Sequence, residues 1–251
     1  MWTRELLKRN AKQVLSRTFT ISFLVSLAFS ALSQEYTVSY TTTYSFTGAD
    51  VPDSILSTFI LGGTLGSILS ALFAAFFVNP LIVGQHRYFM EARLGNAPFS
   101  SLFGAFHKGE YKNIVAAQFF TNLEIALYTL LLIIPGIIKS YEYALVPYLL
   151  AENPNLPASR VKELSREIMQ GEKFPLFVLQ LSFFGWMLLI ALLPFFLSGI
   201  WLLAWLLSIV LNAVLGAYMS STMAEFYAAM REKAFSRMYS NPSELGGFIT
   251  Y

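Results

Sequence analysis

The sequence predicts an all-α, polytopic membrane helix bundle of about six transmembrane helices, with cytoplasmic interfacial helices and both termini inside. Three observations predict it. Of the 251 residues, 55% are hydrophobic and 13% are charged, about half the charge density of a soluble domain. The apolar residues gather into runs long enough to cross a hydrocarbon core of about 30 Å. Every Lys and Arg except Lys139 falls in one of four segments, Arg4–Arg17, Arg87–Lys112, Arg160–Lys173 and Arg231–Arg237. Residues 34–53 hold Glu35, Asp50 and Asp53 and no base. This is the positive-inside pattern, which fixes orientation as well as class.

The first expected span, residues 18–33, follows a basic stretch with a helical pattern of its own. Leu7, Ala11, Val14 and Leu15 share one face, while Arg4, Lys8 and Lys12 recur at i+4 on another. This reads as a basic interfacial helix leading into a retained span. Ala31-Leu32-Ser33 resembles a signal-peptidase site, but the basic stretch is long for a signal peptide. The outer loop 34–53 alternates in TVSYTTTYSF, as a small hairpin would. The second span, 54–84, carries Asn79-Pro80 and a kink near its inner end.

Residues 113–134 and 137–151 are almost wholly apolar and are interrupted by Pro135-Gly136. A single span here would put Arg160–Lys173 outside, against the charge rule. A helical hairpin turning at Pro135 and Gly136 returns it inside. The return limb is then only about 22 Å long and must be shielded or matched by a thinned bilayer. Val161, Leu164 and Ile168 form one face of a short interfacial helix. Spans 174–193 and 200–224 complete six, and 241–251 is expected to be a mobile tail beyond a single domain, 1–240. Leu102…Phe106…Gly109-Glu110 parallels Leu164…Ile168…Gly171-Glu172, which hints at a repeat. The favoured reading is that interfacial helices look alike.

Small residues recur every four in two spans: Gly62, Gly66, Ser70 and Ala74, and Ala204, Ser208, Asn212, Gly216, Ser220 and Ala224. Such stripes let helix backbones approach closely. Intramolecular packing is the favoured reading, and a homo-oligomer face or sliding gate the alternative. Glu124 lies midway along the third span. Lys139 and Glu142, beside Tyr141 and Tyr143, share a face of the return limb. Intramembrane charges are costly and mark pathways by default, so Glu124, Lys139, Glu142 and Tyr141 form a candidate polar pathway. The plainer reading is that Lys139 and Glu142 reach the outer interface while Glu124 bonds Gln118 or Asn122.

Catalysis finds no support. With no cysteine, disulfides, thiolate metal sites and a cysteine nucleophile are excluded. His86 and His107 match no metal-ligand spacing, and no nucleophile elbow, phosphate loop or paired-carboxylate motif is present. The expectations are no catalytic residue, no metal and no cofactor. The partners expected are membrane lipids, with anionic headgroups at the cytoplasmic face, and a membrane-protein partner or second copy. No nucleic acid is expected.

Ile133-Ile134-Pro135-Gly136-Ile137-Ile138-Lys139-Ser140-Tyr141, then Tyr143, Pro147-Tyr148 and Ala151-Glu152-Asn153-Pro154, resemble the signature of the DUF975 family. Ser165-Arg166, Met169, Gly171, Leu176-Phe177, Leu181-Ser182-Phe183 and Gly185-Trp186 continue the resemblance, as do Arg4-Glu5-Leu6, Pro80-Leu81, Gly84 and Glu225-Phe226-Tyr227. A looser similarity is to the membrane domain of some glycerophosphodiester phosphodiesterases. Glu124 and Glu142 depart from the family pattern. The resemblance implies a multi-pass bacterial cell-membrane protein of uncharacterised role, and it supplies no catalytic residue. A non-enzymatic accessory or scaffold protein is the first expectation, and a small-solute or export-related transporter the alternative.

Overall fold

The computed structural model describes residues 2–33, 65–95, 97–107, 109–241 and 244–246. The outer loop 34–53, Gly62 and the start of the second span lie outside them. The described residues are helical, without strands. Five helices are long and apolar enough to cross a membrane: Arg4–Leu32, Leu65–Arg93, Tyr111–Leu131, Lys173–Phe196 and Trp201–Ser236. The chain is a multi-pass membrane protein.

Helix α1 (Arg4–Leu32) opens with the Thr3 hydroxyl accepting from Leu6 N at 3.2 Å. The expected interfacial helix and first span are one rod, because no Gly or Pro interrupts residues 4–32. Helix α2 (Leu65–Arg93) contains a π turn at Ala74–Val78, just before Asn79-Pro80. Pro80 cannot donate to the ladder, and the π turn accommodates the lost bond. The helix continues nine residues past the expected end at Gly84. A Cβ at Gly84 would lie 1.9 Å from the Leu102 carbonyl oxygen, so only glycine lets the 3₁₀ segment Phe99–Phe106 press against α2. That segment is not the α-helix which the supposed repeat with 164–172 requires.

Helix α3 (Tyr111–Leu131) and helix α4 (Ile133–Glu142) form the expected hairpin, but the turn is at Leu132, extended at φ −157°, ψ 135°. Pro135 and Gly136 lie in the first turn of α4. Pro135 is tolerated there because the first N–H groups of a helix have no partner within it. Gly136 has a different task. A Cβ there would come within 2.1 Å of Thr129 Oγ1 and 2.7 Å of Thr129 Cα, so the two limbs touch backbone to backbone.

The return limb is broken at Tyr143–Leu145 before α5 (Val146–Glu152), where a continuous 137–151 span was expected. Pro147 is the cause: its ring would clash with the Tyr143 carbonyl one turn back. The freed Leu145 N–H donates to Ser165 Oγ at 3.3 Å. Helix α6 (Ala158–Ile168) buries Val161, Leu164 and Ile168, the face its periodicity predicts. Helices α7 (Lys173–Phe196) and α8 (Trp201–Ser236) run antiparallel, with Glu172 beside Lys233 and Phe183 beside Tyr218.

The buried core lies at the basic end. It takes in α5, α6, Leu7 and Ala11 of α1, the last turns of α2 and α8, and the first turns of α7. At its centre Glu152, 5% exposed, receives Arg231 Nε at 2.8 Å and the Tyr227 hydroxyl at 2.6 Å. Burial pushes the Glu152 carboxyl up, and Tyr227 and Arg231 oppose that shift. Beyond the core, the large apolar side chains of all five long helices are exposed, as lipid-facing surfaces are.

Part of the tail expected to be mobile is docked. Leu245 is fully buried and Glu244 accepts Arg160 Nε at 2.9 Å. Arg160 holds the Glu244 carboxyl below its ordinary range.

Two substitutions probe these contacts. Overpacking costs about 1–3 kcal/mol, so Gly136→Ala should lower the melting temperature in detergent. Gly185→Ala, with nothing within 4 Å of its Cβ, should not. Glu152→Ala strands a buried guanidinium, a loss of about 3–5 kcal/mol. It should therefore destabilise far more than Glu163→Ala on exposed α6; equal melting curves would refute the buried pairing.

Candidate functional site

The polar side chains singled out on α3 and α4 converge, and three partners join them. The Tyr143 hydroxyl donates to Glu124 Oε1 at 2.6 Å, and Lys162 of α6 reaches Glu124 Oε2 at 2.9 Å. Lys139 lies 2.7 Å from Glu142 Oε2, and Lys173, the first residue of α7, lies 2.5 Å from Glu142 Oε1. The Lys139 ammonium is also 5.1 Å from the Tyr128 ring centroid and 5.4 Å from that of Tyr143, within cation–π range. The result is a belt of two carboxylates, three ammonium groups and a phenol around the root of the hairpin.

The belt ties the hairpin to α6 and to the start of α7, whereas the plainer sequence reading leaves Lys139 and Glu142 at the outer interface. Lys162 and Lys173 belong to the Arg160–Lys173 basic segment and draw both carboxylates to that side. Glu124 does not use Gln118 or Asn122; the Asn122 amide donates to Asn79 Oδ1 at 3.3 Å. Tyr141 turns away from the belt, its hydroxyl donating to Gln180 Oε1 at 2.9 Å. Local spacing could find Lys139–Glu142. Nothing local points to Lys162, 38 residues from Glu124, or Lys173, 31 from Glu142.

A second feature was absent from the sequence reading. Between α1 and α7, floored by α8, opens a cleft of about 1070 Å³. Arg4, Asn10, Glu172, Phe174, Glu225 and Arg237 are among its walls. Glu172 is met by Lys233 at 3.1 Å and the Trp2 indole N–H at 3.0 Å. Glu225 is met by Arg93 at 2.9 Å and Asn10 at 3.5 Å. Glu232 also lines the cleft and makes no ion pair among the described residues. Further along α1, the Lys8 ammonium stands 4.3 Å over the Phe183 ring and that of Lys12 5.9 Å over Tyr218. Arg4, Lys8 and Lys12 pair with no carboxylate among the described residues.

The small-residue stripes divide. Gly216 of α8 packs on α1, where its Cβ would lie 3.9 Å from Ser26 Cβ. Ser208 and Asn212 spend their side chains on carbonyls of their own helix, Ala204 O and Ser208 O, both at 2.8 Å. Ser220 is half-buried. Along α2, Gly66 is exposed with nothing within 4 Å, and Ser70 and Ala74 are half-buried. The described part of that stripe makes no close intramolecular crossing at Gly66.

Neither histidine is part of the belt or the cleft. His86 stacks on Tyr148 at 3.9 Å, Tyr148 stacks on Tyr227 at 5.3 Å, and His107 Nδ1 lies 2.6 Å from Gly104 O.

No curated protein and no solved structure matches the chain. A family model does, over residues 97–234, from the 3₁₀ segment through almost all of α8. That stretch contains the whole charged belt, the α5–α8 lock and the floor of the cleft. The chain belongs to this family, described as Protein of unknown function (DUF975).

Proposed function

We propose that the protein is a non-enzymatic accessory protein of the bacterial cytoplasmic membrane, with its basic side facing the cytoplasm, and that it gathers anionic lipid headgroups in the cleft between α1 and α7. The observation that carries this reading is the row Arg4, Lys8 and Lys12, cations without carboxylate partners among the described residues, with Arg4 in the wall of a cleft whose Glu172 and Glu225 already have theirs. Phe174, Pro175 and Val178 form the apolar wall, which suits an acyl chain continuing from a headgroup. Lysine stems lie along apolar surface while the ammonium seeks an anion. The positive-inside pattern supports the orientation. The hairpin returns the chain to the side it left, so the N-terminal bases and Arg231–Arg237 share that side.

The belt at Glu124, Lys139 and Glu142 supports a tie rather than a route, because each charge is closed by another. Transport is the second reading. A pocket of about 340 Å³ beside Glu124, Lys162 and Phe120 favours it.

Each surface cation contributes about 1 kcal/mol toward an anionic membrane, or about fivefold. In nanodiscs mixing phosphatidylglycerol and phosphatidylcholine, native mass spectrometry should show phosphatidylglycerol retained. The triple change Arg4→Gln, Lys8→Gln, Lys12→Gln should reduce that enrichment by roughly a hundredfold, the three terms combined. Unchanged enrichment would reject the headgroup site. Solute flux in proteoliposomes that is abolished by Glu124→Gln or Lys139→Met would replace the accessory reading with transport.

A further inference from the structure

We infer that the α3–α4 hairpin is a wedge that enters and leaves the membrane on the basic side, with its tip among the acyl chains of that leaflet alone. Its length between fixed points sets this limit. Glu124 is held to Lys162 and to Tyr143 at the foot of the other limb. Seven residues separate it from Leu131 at the tip, a rise of about 10 Å. Glu142 is held to Lys173, and ten residues separate it from Leu132, a rise of about 15 Å. The outgoing limb thus rises about 10 Å and the return limb about 15 Å above their fixed points. Helix α7 starts at that same Lys173 and runs for 24 residues, about 36 Å. The tip therefore stops less than halfway up its neighbour, near the middle of a hydrocarbon core of about 30 Å.

Helix α3 is long enough to cross, but its first half is committed to the basic-side core. The Tyr111 hydroxyl donates to Phe76 O at 2.7 Å. The Asn113 amide donates to Pro154 O at 2.6 Å and Leu156 O at 2.7 Å. Beyond Glu124 the side chains of α3 make no hydrogen bond to that core among the described residues; Thr129 bonds only Ile125 O of its own helix.

The composition of that segment identifies what it meets. No charge lies between Glu124 and Lys139. Leu130, Leu131, Ile133 and Ile134 are 83, 76, 70 and 72% exposed, an apolar cap that folded proteins do not present to water. At the tip, Leu132 N–H donates to Tyr128 O at 3.0 Å, and Gly136 N–H to Leu132 O at 3.3 Å, which pairs part of the reversal's backbone within the hairpin. Below the cap, Lys139 and Tyr143 stand where a headgroup boundary falls, with Lys162 and Lys173 beneath. The charge pattern is satisfied as well by four crossings, α1, α2, α7 and α8, as by six.

The absence of cysteine makes a single introduced thiol unique. Leu131→Cys and, on the other limb, Ile134→Cys carry a bimane label in the full chain in vesicles. Ser33→Cys and Ser236→Cys mark the two interfaces. Quenching by nitroxide lipids should place both tip labels within roughly 5 Å of the bilayer centre and the controls about 15 Å from it. On unlabelled thiols, membrane-impermeant maleimide present on both faces of the vesicle should label the controls and not the tip. Tip labels at the depth of Ser33→Cys, open to maleimide, would mean a full crossing. Tip labels outside the bilayer on the Ser236 side would mean no insertion. Either result overturns the wedge.

Discussion

Four carboxylates of this protein, two on the hairpin and two in the core at the basic end, are each met by a cation from another element. Glu124 meets Lys162, Glu142 meets Lys173, Glu152 meets Arg231 and Glu225 meets Arg93. An unpaired carboxylate near hydrocarbon is costly enough to neutralise or to move. Pairing settles which it does by tying each to an element that cannot leave the headgroup zone. Four such ties join α3, α4, α5 and α8 to α6, α7, α8 and α2. The arrangement of helices follows from that requirement more than from helix propensity.

The consequence is a molecule in two layers. At the basic end, α5 and α6 pack with the ends of the long helices into a core as closed as that of a soluble domain, with Leu149, Leu150, Val161 and Leu164 wholly buried. From it, the long helices continue as surfaces of exposed Leu, Ile and Phe. Lipid offers those surfaces no hydrophobic drive to associate, so the core and its ion pairs must set the angles at which they leave. Glu152 is central, because its two partners lie on α8 one turn apart while it sits at the end of α5.

Much of this was legible in the sequence wherever the signal was periodic or compositional. The faces of α1 and α6 and the existence of a hairpin follow from spacing or charge placement, whereas α8 runs twelve residues past its expected end at 224 because no Gly or Pro stops it before Ser236. The turn at Leu132 did not, because nothing in Leu-Leu-Leu-Ile-Ile marks a reversal, whereas Pro135-Gly136 is a strong turn signal that helix geometry absorbs within a first turn. The tie between Glu142 and Lys173 was missed for a related reason. A hydropathy window sums apolar residues on both sides of the charge without knowing that Glu142 is held by a lysine 31 residues away. The docking of Glu244 and Leu245 had no periodic signal at all, since a single buried leucine in a turn-rich segment has no pattern to reveal it.

Lys139 is the exception to the positive-inside pattern, and the proposed wedge accounts for it. Lys139 and Lys173 share Glu142, so on that proposal Lys139 is a basic-side residue which the chain reaches by entering the membrane and coming back. The strongest family resemblance covers the same ground: the tip Ile133-Ile134, the close-pass glycine Gly136, Lys139 itself, the helix-breaking Pro147 and the buried Glu152. These residues form one continuous device. Gly136 keeps the limbs narrow enough to enter lipid, Lys139 sets how far they enter, and Pro147 turns the chain so that Glu152 can meet Arg231. A turn, a charge and a proline that look unrelated in sequence thus share one physical task, holding an apolar hairpin at fixed depth against a charged core.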